Sequence, residues 1–295
     1  MTTGALRRTL WCSTLDSVAE AVKEGDVWFV NAWLRHGGDE FVNETLTGEH
    51  FDDNKLIAKA IKGKPENAPA IVELLLVAGA SPETRFLMSA ISWGNVEAAL
   101  LLVAHGVDVE KVHGVWTALH FAAERGLERE LERQEELVRA LLEAGASVDA
   151  IKGQSAANTG GTPLQVAAGC GFTRPDVLKL LLKYGASLDA VDAEGRTAED
   201  HARAALNYPI DPHHDGLRRG PGVVEGALAL FRDYRAAGGT WKRYANEPRK
   251  QLLVLRRLVE RGRAAPPGGT LARVQGLPDV LFWKVLAFWR SDRDV

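Results

Sequence analysis

Two short apolar segments separated by a turn give residues 162–186 the most regular hydrophobic pattern of the chain. The first opens with Thr162-Pro163. A threonine caps a helix, and a proline at the first helical position lacks only an N–H that the helix leaves unpaired. The second, around residues 180–182, ends at Gly185, which readily adopts the left-handed conformation that terminates helices. The pattern therefore predicts two short helices joined by a turn.

The same unit recurs, as shown by the distance between the glycine in its turn and the glycine after its second helix. That distance is 12 or 14 residues in three units and 16 or 19 in two others, the longest holding a charged insert at 127–133. The five pairs are Gly25 and Gly37, Gly63 and Gly79, Gly94 and Gly106, Gly126 and Gly145, and Gly171 and Gly185. Because the extra residues fall in turns, the units remain in register.

The threonines that begin the first helices also recur, and Thr162 and Thr197 lie 35 residues apart. This spacing and the Thr-Pro-Leu start resemble the ankyrin repeat, whose period is about 33 residues. The resemblance implies an all-α solenoid of about six helix-turn-helix units over residues 15–237. An N-terminal tail (1–14) would precede it, and a helical module (238–295) would follow. The first and sixth units depart most from the pattern, and we place the second helix of the sixth at 223–237.

Composition fits a soluble protein, with 46% hydrophobic and 25% charged residues in a chain of 295. No segment reaches the ~18 consecutive apolar residues of a membrane span, and no apolar run follows Arg7 and Arg8 as in a secretory signal. Two cysteines, Cys12 and Cys170, are too few for a disulfide scaffold. We therefore expect a cytoplasmic protein, with the nucleus as the alternative, and no membrane partner.

The net charge of −3 is unevenly distributed. Residues 241–263 contain eight basic and two acidic side chains, a net charge of +6, which leaves −9 for the remainder. An acidic array disfavours broad nucleic-acid binding by the repeats, whereas the basic segment leaves local binding open.

No arrangement of residues predicts catalysis, a cofactor or a metal site. A phosphate-binding Gly-x-x-x-x-Gly-Lys loop, a Gly-x-Ser-x-Gly elbow and a Cys-x-x-Cys pair are all missing from the sequence. His213-His214 lies on a loop rich in glycine and proline, which favours a solvated loop over a metal site. His120 stands where the ankyrin pattern has its histidine, which implies hydrogen bonds within and between repeats. His201 replaces an expected apolar residue and indicates a weaker terminal repeat.

Ankyrin-like arrays bind proteins with their hairpin tips and first helices, and this resemblance implies a protein partner on the repeat surface. Trp93 either contacts that partner or folds back onto the next repeat, whereas Trp116, on a hairpin, favours contact. Trp28, Phe29 and Trp33 are more typical of a core or an end cap than of a binding patch. The candidate contact residues are Trp93, Trp116, Glu124, Arg125 and Gln165.

The C-terminal module has an apolar-patterned helix at 250–261 and a second, apolar on nearly every face, at 277–289. It resembles a SOCS box, whose helices bind elongin-type and cullin-type subunits of ubiquitin ligases. Val259 stands where that family has cysteine, Arg263 where it has an aliphatic residue, and one Leu-Pro where it has two. The opening of an F-box is also similar, but too few residues follow for a complete one. The candidate contacts are Leu255, Val259, Leu277, Pro278, Leu281, Trp283 and Trp289.

Together these features predict a non-catalytic interaction scaffold or adaptor, in which the repeats hold a protein and the tail docks a ligase subunit. Two alternatives remain open for the tail. It caps the end of the array, or its basic helix binds nucleic acid.

Overall fold

The structure of the protein, a computed structural model, describes residues 15–46, 55–124, 131–151, 160–170, 175–207 and 221–261. Thirteen α-helices and one 3₁₀ turn, Gly38–Phe41, lie in these ranges. In chain order the helices are α1 Leu15–Glu24, α2 Val27–Arg35, α3 Leu56–Lys62, α4 Ala68–Val77, α5 Thr84–Ser92, α6 Val96–Ala104, α7 Ala118–Glu124, α8 Leu131–Glu143, α9 Pro163–Cys170, α10 Pro175–Lys183, α11 Ala198–Asn207, α12 Pro221–Ala236 and α13 Trp241–Glu260.

The first twelve helices form six antiparallel pairs, here called units 1 to 6. The first helix of each unit packs against the first helix of the next, from α1 through α11, and the second helices pack in the same order from α2 through α12. A continuous apolar core runs along the stack and includes fully buried Leu75, Ile91 and Leu119. The prediction of an all-α solenoid of about six units is confirmed.

Small residues let the units approach closely, and glycines end their second helices. Ala167 and Ala168 of α9 are buried, and α9 packs against the first helices of both neighbouring units. Gly185 has a φ of +95°, and its N–H and that of Ala186 donate to the carbonyls of Leu182 and Leu181 at 3.1 and 3.0 Å. These bonds pair carbonyl groups that the helix end would otherwise leave open.

Unit 1 is a complete helix pair, although its sequence pattern is the most degenerate. Val18, Val22 and Val30 are fully buried in it. Trp33 packs over Gly38 so closely that a Cβ at residue 38 would lie 2.3 Å from the indole ring. Trp33 is therefore core, as predicted, whereas Trp28 has 74% of its surface exposed and does not contribute to a cap.

The last helix begins earlier than predicted. The hydrophobic pattern predicts a start at Lys250, after Pro248, but α13 starts at Trp241 and continues through Pro248. The Thr240 carbonyl accepts the N–H groups of Arg243 and Tyr244 at 3.1 and 3.0 Å, which forms a first turn ahead of the proline. The rings of Trp241 and Tyr234 pack on Tyr244 at 5.4 and 5.9 Å and hold that turn against unit 6. The predicted helix at 277–289 lies outside the described residues.

None of the helices in the described ranges combines the length and the apolar character that a membrane crossing requires.

Candidate protein-binding surface

Polar links between successive units hold the loops that follow the second helices in register. Asn43 Oδ1 of unit 1 accepts the Ser81 N–H at 2.8 Å. In the same way Glu110 accepts the Ser147 N–H at 2.5 Å, and Asp149 accepts the Ser187 N–H at 3.0 Å. A side chain of one unit thus satisfies a backbone donor of the next, which fixes the distance between the neighbouring loops.

His120 forms a buried link between units 4 and 5. The Thr117 hydroxyl lies 2.8 Å from Nδ1, and Nε2 lies 3.0 Å from the Gly161 carbonyl. A carbonyl only accepts, so Nε2 carries the proton and donates, and Nδ1 accepts from the threonine. The predicted structural role of His120, within and between repeats, is confirmed.

The side chain of Gln165 forms a second buried link between units. The prediction that Gln165 contacts a protein partner is therefore wrong. Its side chain is buried, with only 1% of the residue exposed. Oε1 accepts the Thr162 N–H at 2.7 Å, while Nε2 donates to the carbonyls of Ala190 and Arg196 at 2.8 and 3.0 Å. The side chain is directed into the boundary between units 5 and 6, because the glutamine can cap α9 and bridge to the next hairpin at once.

Asp192 organises the hairpin of unit 6, a role that the sequence did not reveal. Its buried carboxylate accepts the backbone N–H groups of Glu194 and Arg196 at 3.0 and 2.9 Å, the Arg196 guanidinium at 2.9 Å, and His201 Nε2 at 2.9 Å. Burial alone would raise the pKa of Asp192, but the hydrogen bonds from Arg196, His201 and Glu194 lower it to about 2. His201 is therefore a specific partner of this carboxylate, not merely a sign of a weak repeat.

The two tryptophans proposed as contacts have different environments. Trp93, at the end of α5, has 64% of its surface exposed. Trp116 is half-buried, and its ring meets those of Phe121 and His120 edge-on at 5.1 and 6.2 Å. Glu124 is half-buried at the end of α7, and Arg125 lies outside the described residues. Trp93 therefore offers the most accessible surface in this set.

A row of apolar side chains, one in each loop that leads from a second helix into the next unit, is the feature that the sequence analysis missed. Val112, Ile151 and Val191 have 53%, 74% and 59% of their surface exposed. They follow the stop glycines Gly106, Gly145 and Gly185 by the same six residues and so occupy one position in three successive units. This shared register, not residue type alone, is the signal that identifies them. We call these three residues the hairpin row.

The exposed face of α13 is basic, and its opposite face is apolar. Arg243, Lys250, Arg257 and Arg261 are exposed, and their spacing places them along one side of the helix together with exposed Val254. The opposite side carries buried Tyr244 and Leu252 and half-buried Leu255. The side chain of Val259 is outside the description, as are Leu277, Pro278, Leu281, Trp283 and Trp289.

A cavity of about 430 Å³ lies where α13 leaves unit 6. Leu188, Tyr234 and Trp241 give it an apolar side, and Arg235 pairs there with Asp189 at 2.8 Å. Asp189 is the counterpart of Asp149, so at this boundary the regular link between units gives way to an ion pair.

Among the described residues, no group of three or more His, Cys, Asp or Glu side chains has the arrangement of a metal site.

Comparison with protein families gives two matches. A family model described as ankyrin repeats, in three copies, matches residues 56–152, and a second, described as ankyrin repeat, matches residues 159–193. A search of curated proteins found no match. The matched residues contain units 2 to 5, and the structure adds units 1 and 6 to the same stack. The chain is an ankyrin repeat protein, and its repeats form a protein–protein interaction scaffold.

Proposed function

We propose that this chain is a non-catalytic adaptor, located in the cytoplasm or nucleus, whose hairpin row binds a protein partner. The observation that carries the proposal is the exposure of Val112, Ile151 and Val191 at one position in three successive units. An apolar side chain that stays exposed gains no hydrophobic stabilisation from the folded chain, and three at one repeated position suggest a surface that a partner covers.

The spacing of the row sets the kind of partner segment that fits it. Packed helices lie about 8–10 Å apart, so the three residues of the hairpin row, one in each of three neighbouring units, span roughly 20 Å. Burial of a Val or Ile side chain contributes up to about 1.5–3 kcal/mol each, before the costs of association. Exposed Lys111 and His113 beside Val112 and exposed Glu194 near Val191 supply polar groups at the rim. A partner segment with apolar side chains repeated at this interval would contact all three residues.

Substitution of the hairpin row should weaken partner binding without unfolding the array. The triple variant Val112→Asp, Ile151→Asp, Val191→Asp places charges where the partner's apolar groups would lie. We expect at least tenfold less partner recovered by affinity purification, with partners identified by mass spectrometry.

A matched control is available at Val77, on the second helix of unit 2. It has 75% of its surface exposed, as much as any residue of the row. Val77→Asp should leave recovery unchanged. Thermal melts check that both variants are folded. Equal loss of partner recovery in the two variants, or no loss in a folded triple variant, would contradict the role of the row.

We further propose that the tail links the bound partner to a ubiquitin ligase, through an elongin-type or cullin-type subunit. The support is the resemblance of the C-terminal segment to a SOCS box, with Leu255 and Val259 on α13 and Leu277, Pro278, Leu281, Trp283 and Trp289 beyond it. Half-buried Leu255 lies on the apolar side of α13, which is the side such a subunit would contact.

Two variants should abolish co-purification of the ligase subunit, while recovery of the hairpin-row partner persists. One is Leu255→Arg, and the other combines Leu277→Ala with Pro278→Ala. The contrast separates the two binding sites within one chain, and circular dichroism of each variant checks that the helices remain folded. Co-purification that survives deletion of residues 241–295 would contradict the adaptor role.

The basic side of α13 favours one alternative, which is binding to nucleic acid. Such binding depends steeply on salt, because each neutralised phosphate releases counterions. A gel shift at low salt that disappears in the variant Arg243→Glu, Lys250→Glu, Arg257→Glu would support it. No shift at low salt would reject it.

A further inference from the structure

The charges of the described residues are concentrated with opposite sign at the two ends of the stack. Unit 1 and its following loop, residues 15–46, contain seven acidic and two basic side chains, a net charge of −5. The last helix with its following residue, 241–261, contains seven basic and two acidic side chains, a net charge of +5. Contacts between helices run in chain order from α1 to α13, so the two segments lie at opposite ends.

The acidic end presents its charge on an accessible face. Asp16, Glu20 and Glu24 are exposed on α1 at intervals of four residues, on the side away from its buried valines. Asp39 and Glu44 are exposed in the segment that follows α2. Ion pairs from Glu20 to Lys23 at 3.4 Å and from Glu24 to Lys64 at 3.0 Å neutralise part of this charge, and the excess remains negative. We call the exposed acids of unit 1 the acidic head.

The basic end presents a stripe of complementary sign. Arg243, Lys250 and Arg257 share the exposed side of α13 over 14 residues, or about 21 Å of helix, and exposed Arg261 follows its last residue. Lys250 approaches Glu247 at 3.5 Å, which neutralises little of the stripe. We call these four residues the basic stripe.

Each end also carries an exposed apolar group near its charges. Trp28, at the start of α2, has 74% of its surface exposed, and Val254, within the basic stripe, has 56%. An arginine guanidinium stacks favourably on an indole face, so an exposed tryptophan among carboxylates suits a partner rich in arginine. The two surfaces are therefore complementary in contact chemistry as well as in charge.

We propose that the basic stripe of one molecule binds the acidic head of a second copy, in a reversible head-to-tail association. Opposite surfaces on one chain are always present at equal concentration, and their attraction accelerates encounter. The contact joins different surfaces of the two copies, so each bound molecule leaves one head and one tail open. Such an association grows into chains or closes into a ring, and it leaves the hairpin row available to the partner of the proposed function.

Sedimentation velocity of the full chain, treated with nuclease, tests the proposal. The sedimentation coefficient should rise with protein concentration at about 50 mM salt and fall to that of a monomer at about 500 mM, because salt screens exposed charges. The variant Arg243→Glu, Lys250→Glu, Arg257→Glu should weaken the association at least tenfold. A monomer at every concentration and salt would overturn the proposal.

A variant in which the charge of the acidic head is reversed gives a second, independent test. Asp16→Arg, Glu20→Arg, Asp39→Arg should also yield a monomer, because head and tail would then both be basic. This variant keeps the basic stripe, and the variant Arg243→Glu, Lys250→Glu, Arg257→Glu keeps the acidic head. Mixing the two should therefore restore association. A folding defect cannot produce that recovery. If the mixture stays monomeric, the stripe does not bind the head.

A charge-matched control tests whether net charge alone is responsible. Glu66, Glu73 and Glu225 are exposed acids outside the acidic head. Their replacement by arginine changes the total charge as much as reversal of the head does, and association should survive it. Loss of association in this control would overturn the assignment to unit 1.

Discussion

Replacement of His120 by alanine should lower the free energy of unfolding by about 3 kcal/mol, through the boundary between units 4 and 5. The substitution deprives the Thr117 hydroxyl and the Gly161 carbonyl of their buried partner and leaves a cavity where the imidazole lay. An unsatisfied buried acceptor costs about 1–3 kcal/mol, and a cavity adds to that. In a repeat array the loss falls on one interface between neighbours. Urea unfolding followed by circular dichroism measures it.

The exposed His105 provides the control. Its Nδ1 lies 2.9 Å from the Leu101 carbonyl at the end of α6, but the side chain is open to solvent. His105→Ala should therefore change the unfolding free energy by under about 0.5 kcal/mol. If the two alanine variants unfold at the same urea concentration, the bridge through His120 does not stabilise the array.

Removal of the Asp192 carboxylate should destabilise unit 6 by a similar amount, about 3 kcal/mol. Asp192→Ala leaves the N–H groups of Glu194 and Arg196 without an acceptor and removes the oxygen that the Arg196 guanidinium and His201 Nε2 share. Hydrogen–deuterium exchange should show faster exchange across residues 191–207, while α3 to α6 keep their protection. Uniform loss of protection along the whole array would contradict a local role.

The same carboxylate makes stability depend on acidity. The pKa of Asp192 is about 2 in the folded protein against an ordinary value of 3.8, so its contribution is present above about pH 4 and is lost as the pH falls towards 2. The shift corresponds to about 2 kcal/mol. In the variant Asp192→Asn this pH-dependent contribution to stability should vanish. If the melting temperature of the variant falls with pH as steeply as that of the unmodified protein, the contribution does not come from Asp192.

The periodic glycines and threonines were enough to predict the number, order and stacking of the units. Each belongs to a local rule of helix start or stop, and the rule repeats. For the same reason His120 was interpreted correctly, since its position within the unit fixes its neighbours. Unit 1 has few of these signals, yet it folds as a helix pair, with Val18, Val22 and Val30 buried in the common core.

The failures concern residues whose partners lie in another segment of the folded chain. Gln165 occupies a first-helix position that is often exposed, but its amide reaches the carbonyls of Ala190 and Arg196, 25 and 31 residues further along. Asp192 and His201 approach each other only when the hairpin folds back on α11. The early start of α13 depends on rings of α12. The spacing of Thr162 and Gln165 is that of a capping box and indicated the first of the glutamine's bonds. The contacts between separate segments have no such local signature, so the pattern along the chain could not predict them.

The links from Asn43 to Ser81, Glu110 to Ser147 and Asp149 to Ser187 have a consequence for how such a protein can change in length. Unit 4 donates the Ser147 N–H to the unit before it and accepts the Ser187 N–H of the unit after it through Asp149, so a duplicated unit 4 would make both bonds and leave those of its neighbours intact. Duplication of that segment of the gene would thereby lengthen the array by one whole unit. At the last boundary Arg235 engages Asp189, and growth at that end would require this ion pair to break.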